Sequence, residues 1–234
     1  MYCFVDFRIS NEELKNLENL NLSVIKVPKC NAVYEAICGH PDIQMNLLYN
    51  SGGPKIILHN DIDSNFKKNL QINNIEYIVS QKSLSNTYPE DIFLNAFINK
   101  NYFIHNTKYS DDILVDNIQD KKIISVSQGY TKCSILPVRE KAIITSDKGI
   151  YNILKEYNFD ILLLPPSHIL LPGLNYGFIG GTGGMISDSK MAFFGDLSYY
   201  QYGNDIKNFL HKYDIEPVYL RNGKLIDRGS LFVL

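Results

Sequence analysis

Lys141-Ala142-Ile143-Ile144-Thr145 is a short apolar run with a turn before it and a helix signal after it. The same form recurs at Cys3-Phe4-Val5-Asp6-Phe7, Lys55-Ile56-Ile57-Leu58-His59, Tyr102-Phe103-Ile104-His105-Asn106 and Met191-Ala192-Phe193-Phe194-Gly195. Each run is followed by an amphipathic stretch, a second apolar run, a loop and a third strand-like segment. The 234 residues therefore divide into five units of about 47, a period typical of rings and solenoids. A unit of that size cannot bury its own apolar face and must stack on its neighbours.

The expected boundaries are 1–52, 53–100, 101–139, 140–188 and 189–234, all within a single domain. In the first unit Ser10-Asn11-Glu12-Glu13 has the form of a capping box and starts a helix carrying Leu14, Leu17 and Leu20. Further helices are expected over Ser64–Ile72, Asp111–Ile118, Asp147–Tyr157 and Asp205–Tyr213. Third strands are expected at Asp42–Leu47, Asp91–Phe97, Lys132–Val138, Phe178–Ile186 and Ser230–Leu234. Turns at Gly52-Gly53-Pro54, Asn99-Lys100-Asn101, Arg139-Glu140 and Ser187-Asp188-Ser189 join each third strand to the next unit's first strand. Such hairpins favour separate small sheets over one doubly wound sheet. The fold class is α/β: a five-unit, pseudo-fivefold propeller of small mixed sheets with outer helices.

Apolar residues make up 45% of the chain, enough for a substantial core, and the formal charge is −2. That balance argues against nucleic acid as the main partner, which calls for a basic face. No apolar run approaches the roughly 20 residues needed to span a bilayer, and no secretory leader is recognisable. A cytoplasmic protein with reduced thiols is expected, with no membrane partner. Cys30, Cys38 and His40 match no zinc spacing, so no metal and no cofactor are called for. Oligomeric state stays open.

In a ring of such units the loops entering the third strands converge. They carry Gly, acidic and amide residues where an apolar strand begins: His40, Asp42, Gln44 and Asn46 in unit 1, Glu90 and Asp91 in unit 2, Tyr130, Lys132 and Cys133 in unit 3, and Gly180-Gly181-Thr182-Gly183-Gly184 in unit 4. The glycine run is not followed by a helix, as a phosphate loop requires. Its reading is close backbone approach to a ligand or to the ring axis. His59-Asn60 and His105-Asn106 sit at matching places of units 2 and 3.

This unit order resembles the pentein superfamily, the guanidino-group-modifying enzymes, over nearly the whole chain. The resemblance implies a pseudo-fivefold ring. It places Pro89-Glu90-Asp91-Ile92 where those enzymes have a Gly-Gly-Asp segment whose carboxylate binds guanidinium, and Asp42 near an acidic position of the same clamp. Paired carboxylates suit a planar fork of donors. The family's nucleophilic Cys belongs to the last unit, where this chain reads Asp227-Arg228-Gly229-Ser230-Leu231. Tyr130 stands near the family's third-unit His.

Three functions follow as expectations. The first is a pocket for a small polar or cationic ligand, walled by Asp42, Gln44, Asn46, Glu90, Asp91, Tyr130, Lys132, Gly181, Thr182 and Gly183. The second is a divergent hydrolase or amidinotransferase with Cys133 as nucleophile and His40 beside it. The third is a macromolecular binding module like the superfamily's ribosome anti-association branch, which would need a broad exposed patch.

Overall fold

A computed structural model describes residues 1–50, 53–166 and 168–234. Unit 1 holds β1 (Tyr2–Asp6), α1 (Asn11–Asn19), β2 (Ser23–Val27), α2 (Pro41–Gln44) and β3 (Met45–Asn50). Unit 2 holds β4 (Gly53–Leu58), α3 (Ser64–Ile72), β5 (Tyr77–Val79) and β6 (Phe97–Ile98). Unit 3 holds β7 (Tyr102–His105), α4 (Asp112–Asp116), β8 (Lys122–Ser125), α5 (Thr131–Ser134) and β9 (Ile135–Arg139). Unit 4 holds β10 (Ala142–Thr145), α6 (Lys148–Lys155), β11 (Asp160–Leu163) and β12 (Gly183–Ser187). Unit 5 holds β13 (Lys190–Phe193), α7 (Gly203–His211), β14 (Glu216–Tyr219) and β15 (Phe232–Val233).

Among the described residues the strands form five three-stranded sheets, ordered β15-β1-β2, β3-β4-β5, β6-β7-β8, β9-β10-β11 and β12-β13-β14. In each sheet a unit's first strand lies in the middle. Its own second strand runs parallel on one side, and the preceding unit's third strand runs antiparallel on the other. The rule holds across the ends of the chain, where β15 pairs antiparallel with β1 through Cys3↔Val233 and Phe4↔Phe232. Every sheet is thus shared between two units, as the expected hairpins require. The turn expected at Gly52-Gly53-Pro54 has Gly52 outside the described residues, and Gly53 and Pro54 already belong to β4.

The helices show why the units stack. Phe66 and Leu70 of α3, Ile150 and Leu154 of α6, and Ile206 and Leu210 of α7 are the buried apolar pairs, each four residues apart on one helix face. In α1 that place is taken by Glu13 and Leu17. Glu13 completes the capping box, accepting from Ser10 N at 2.6 Å, and also accepts from Arg228 Nη2 at 3.2 Å. The buried carboxylate thereby ties the last unit to the first. No helix among the described residues is long and apolar enough to cross a membrane.

The expected third strands need correction at their starts. Asp42–Gln44 and Lys132–Ser134 lie in the helical turns α2 and α5, and Ile179–Thr182 forms a 3-10 turn. Residues 91–96 are not in a strand, so β6 begins at Phe97, and β15 begins at Phe232. Alternation misleads here because both faces of these segments are buried: residues 91–98 are buried without a break. Pro41, at the first helical position, is the local signal for α2. A second correction concerns the histidine echo. Val126 N donates to His105 O, whereas Ser80 N donates to Leu58 O, so His59 lies one residue past the place of His105.

Candidate functional site

The five inner turns meet at the ring axis and bond to one another. Asp42 N donates to Gly229 O at 3.1 Å, Arg228 N to Gly181 O at 2.9 Å, and Lys132 N to Asn95 O at 3.0 Å. Asn95 Nδ2 donates to Asp42 O at 2.8 Å. Unit 4 joins by close approach: a Cβ on Gly180 would lie 2.4 Å from Lys132 O and 2.5 Å from Cys133 O. The glycine run is therefore explained by crowding at the axis, with backbone from neighbouring units in the space a side chain would need.

Through the axis runs a chain of buried side chains. Cys133 Sγ lies 3.1 Å from Asp42 Oδ2, and Asn95 Nδ2 lies 3.1 Å from the same sulfur. Ser230 Oγ lies 2.6 Å from Asp42 Oδ2 and 2.9 Å from Gly180 O, and accepts from Lys132 Nζ at 2.8 Å. A hydroxyl has one proton, and the shorter contact assigns it to Asp42. Burial pushes the Cys133 thiol well above its ordinary range, and the carboxylates of Asp42 and Asp227 add to the push. The thiol therefore keeps its proton and donates it to Asp42. Burial pulls the Lys132 ammonium down, with Asp42 drawing it back up.

One side of this network opens into a cavity of about 260 Å³ that His40, Cys133 and Asp227 help to line. Tyr34, Tyr130, Tyr176 and Phe178 supply aromatic walls, and Ile37, Ile43, Leu171 and Leu174 supply aliphatic ones. Asp227 accepts from Phe178 N at 2.8 Å and Gly229 N at 2.9 Å, which fixes the carboxylate in place. Gly181 leaves it room, since a Cβ there would sit 1.8 Å from Asp227 Oδ1. Burial raises the Asp227 pKa, and the nearby His40 lowers it. His40 Nδ1 is 3.9 Å from Asp227 Oδ1, beyond hydrogen-bond reach, and both His40 ring nitrogens and Asp42 Oδ1 lack partners although they are buried. Nearly all buried polar atoms in folded proteins are satisfied, so the two His40 nitrogens, which belong to a cavity-lining residue, leave capacity for a ligand or water.

The expected site residues separate into groups. His40, Tyr130 and Cys133 line the cavity. Asp42 lies behind Cys133 and is fully buried. Lys132 and Asn46 line a smaller cavity of about 90 Å³ that also holds Phe232 and Val233. Asn46 stitches unit 1 to unit 2 by donating to Leu94 O at 2.8 Å and Ala96 O at 2.7 Å. Gln44 donates to Pro28 O and Cys38 O, bracing the loop before α2. Thr182 donates to Ile179 O at 2.7 Å within its own turn, and Gly183 packs on Ala192 O. Asp91 is buried and accepts from the Tyr130 hydroxyl, and burial raises its pKa while that bond lowers it. Glu90 is exposed and lines none of these cavities.

Asp227, Tyr34, Tyr176 and Phe178 were not singled out from sequence. Asp227 and Phe178 lie in inner segments that could have been searched position by position. Tyr34 and Tyr176 come from loops, where no periodicity points inward. Among the described residues no group of three or more His, Cys, Asp or Glu is placed to hold a metal ion.

Residues 4–232 match the model of a family of unknown function, DUF6873. No curated protein matches the chain in sequence. Solved structures match in fold. SxtG, an amidinotransferase of the saxitoxin biosynthetic pathway from Microseira wollei, is 13% identical, with 89% of this chain and 73% of that chain covered and a TM-score of 0.57. The C. jejuni agmatine deiminase is 14% identical, with 96% and 90% covered and a TM-score of 0.56. A dimethylarginine dimethylaminohydrolase from Pseudomonas aeruginosa is 7% identical, with 94% and 92% covered and a TM-score of 0.50. The fold is the pentein fold.

Proposed function

The chain belongs to DUF6873, a family of unknown function spanning residues 4–232, and we propose that its ring binds a small cationic molecule, a guanidine or an amine, in the cavity above His40, Cys133 and Asp227. The observation that carries this reading is a fixed, buried Asp227 carboxylate in the lining of an aromatic-walled cavity. A cation there gains a charged partner and the faces of Tyr and Phe rings together. The surrounding charge favours it as well. Asp42, Asp91 and Asp227 are all buried, and the ammonium of Lys132 is engaged by Ser230. The fold neighbours named as agmatine deiminase and dimethylarginine dimethylaminohydrolase support a guanidino-type head.

A thermal-unfolding series with guanidines and amines tests the reading. A ligand at 100 times its Kd adds about 2.7 kcal/mol, or roughly 5–10 °C in a domain of this size. Asp227→Asn should abolish the shift. If no member of the series moves the midpoint at millimolar concentration, the reading fails.

A second reading has one observation in its favour: Cys133 and His40 open into the same cavity. In it Cys133 Sγ attacks the amidine or amide carbon, and the thiol proton passes by way of a buried base to the departing ammonia or amine. Water then releases the carbonyl product and restores the thiol. The raised thiol pKa opposes this chemistry, and a cation bound beside the sulfur would bring it down. Release of ammonia or amine that disappears in Cys133→Ser would support it, and turnover unchanged in that variant would exclude it.

A further inference from the structure

Among the described residues no lysine or arginine lines the cavity. The cations with buried or half-buried ends near its walls are engaged elsewhere. Arg8 spends its guanidinium on Asp6, at 2.9 Å from Nε to Oδ1, and on the carbonyls of Glu35 and Ala36. Arg228 points to Glu13, and Lys132 donates to Ser230. Away from Asp227 and His40 the walls include the side chains of Ile37, Ile43, Leu171 and Leu174, and the exposed amide of Asn175.

We infer that the ligand joins a cationic head to an apolar body and bears no carboxylate or phosphate. This rests on the cation reading of the same cavity. A positively charged head takes Asp227, and the body takes the aliphatic and aromatic walls. An anionic group on the same molecule would lie close to a carboxylate of like charge, with no lysine or arginine beside it to offset the repulsion. Discrimination then comes from the penalty imposed on the acid, not from an extra contact made by its neutral counterpart. The volume of about 260 Å³ lies just below the range of about 300–1,000 Å³ for ordinary ligand pockets, which suits a small body such as one ring or a short alkyl chain.

Matched pairs differing by one carboxylate test this on the intact chain: phenethylamine against phenylalanine, and benzamidine against 4-amidinobenzoate. Titration calorimetry should give the carboxylate-free member an affinity at least about tenfold higher in each pair. Asn175→Lys or Leu174→Lys supplies the missing cation at the wall, and at least one of them should narrow that ratio by improving binding of the acid. Equal binding within the pairs, or tighter binding of the acids, overturns the inference and leaves the cation site standing. A ratio that neither lysine variant moves also overturns it, because the discrimination then has another origin. If no member of either pair binds, the cation reading falls, and this inference with it.

Discussion

Cys133 Sγ lies 3.1 Å from Asp42 Oδ2, so this cavity-lining thiol donates a hydrogen bond to a carboxylate that is not part of the cavity lining. Burial and two carboxylates hold the thiol well above its ordinary pKa. At pH 7–8 it is therefore a thiol, and the thiolate is the form that reacts with iodoacetamide. Native alkylation of Cys133 should be slow at pH 7.5 and should rise only on the alkaline side of pH 9. Asp42→Asn removes one negative neighbour and should speed the reaction. Peptide mapping after timed labelling reads this directly. Fast labelling of the wild-type protein at pH 7 would contradict the assignment of the proton.

The repeat was legible because it rests on burial: five apolar runs, each buried in the middle of a sheet, stand out in any sequence with polar helices between them. The site was legible only in part. His40, Tyr130 and Cys133 reach the cavity because they begin or occupy turns pointed at the axis. Gln44 and Asn46 sit close to them in sequence, yet they bond carbonyls of neighbouring loops. Polar residues at a crowded axis serve two needs, satisfying backbone and meeting a ligand, and sequence shows only that they are polar. Asp227 shows the converse. Its role depends on Phe178 N, Gly229 N and the space left by Gly181, three contacts contributed by two units.

Ring closure depends on the last strand. Tyr2 N donates to Leu234 O at 2.8 Å and Leu234 N to Tyr2 O at 2.9 Å, while Phe232 packs with Phe4, Val27 and Met45. Phe232 is also the ring beneath Lys132 Nζ, 5.2 Å from its centroid. Phe232→Ala should cost about 3–5 kcal/mol, the usual loss for a buried phenylalanine. The urea midpoint should fall accordingly. A change below about 1 kcal/mol would mean that the β1–β15 pairing does not close a cooperative unit.

Gly180 has no room for a methyl group. A Cβ there would meet three carbonyl oxygens, of Lys132, Cys133 and Ile135, at 2.4 to 2.5 Å, and all three are backbone atoms that cannot rotate away. Gly180→Ala must push unit 4 off unit 3, at a cost of about 1–3 kcal/mol. The same shift would carry Lys132 and Cys133 away from Ser230 and Asp42. The variant should therefore lose thermal stability and, in the protein that remains folded, show faster alkylation of Cys133. A variant as stable as the parent would refute the close packing of the axis.

Acid should destabilise the fold through two histidines. Burial pushes His59 and His105 down to about 4, while in the unfolded chain an imidazole titrates near 6.5. Between these values the unfolded chain binds protons that the folded chain refuses. The contribution is therefore whole above about pH 6.5 and is lost as the pH falls through about 4, up to about 3 kcal/mol per histidine. Asp91 and Asp227 work in the opposite direction, because their raised pKa values let the folded chain take up protons early. A difference experiment separates the terms. Both ring nitrogens of His59 lack partners, so His59→Leu, similar in volume, should change little at pH 8. Below pH 6.5 its urea midpoint should fall less steeply than that of the parent, the two curves diverging down to about pH 4. Parallel curves over that range would show that His59 is not held neutral by burial.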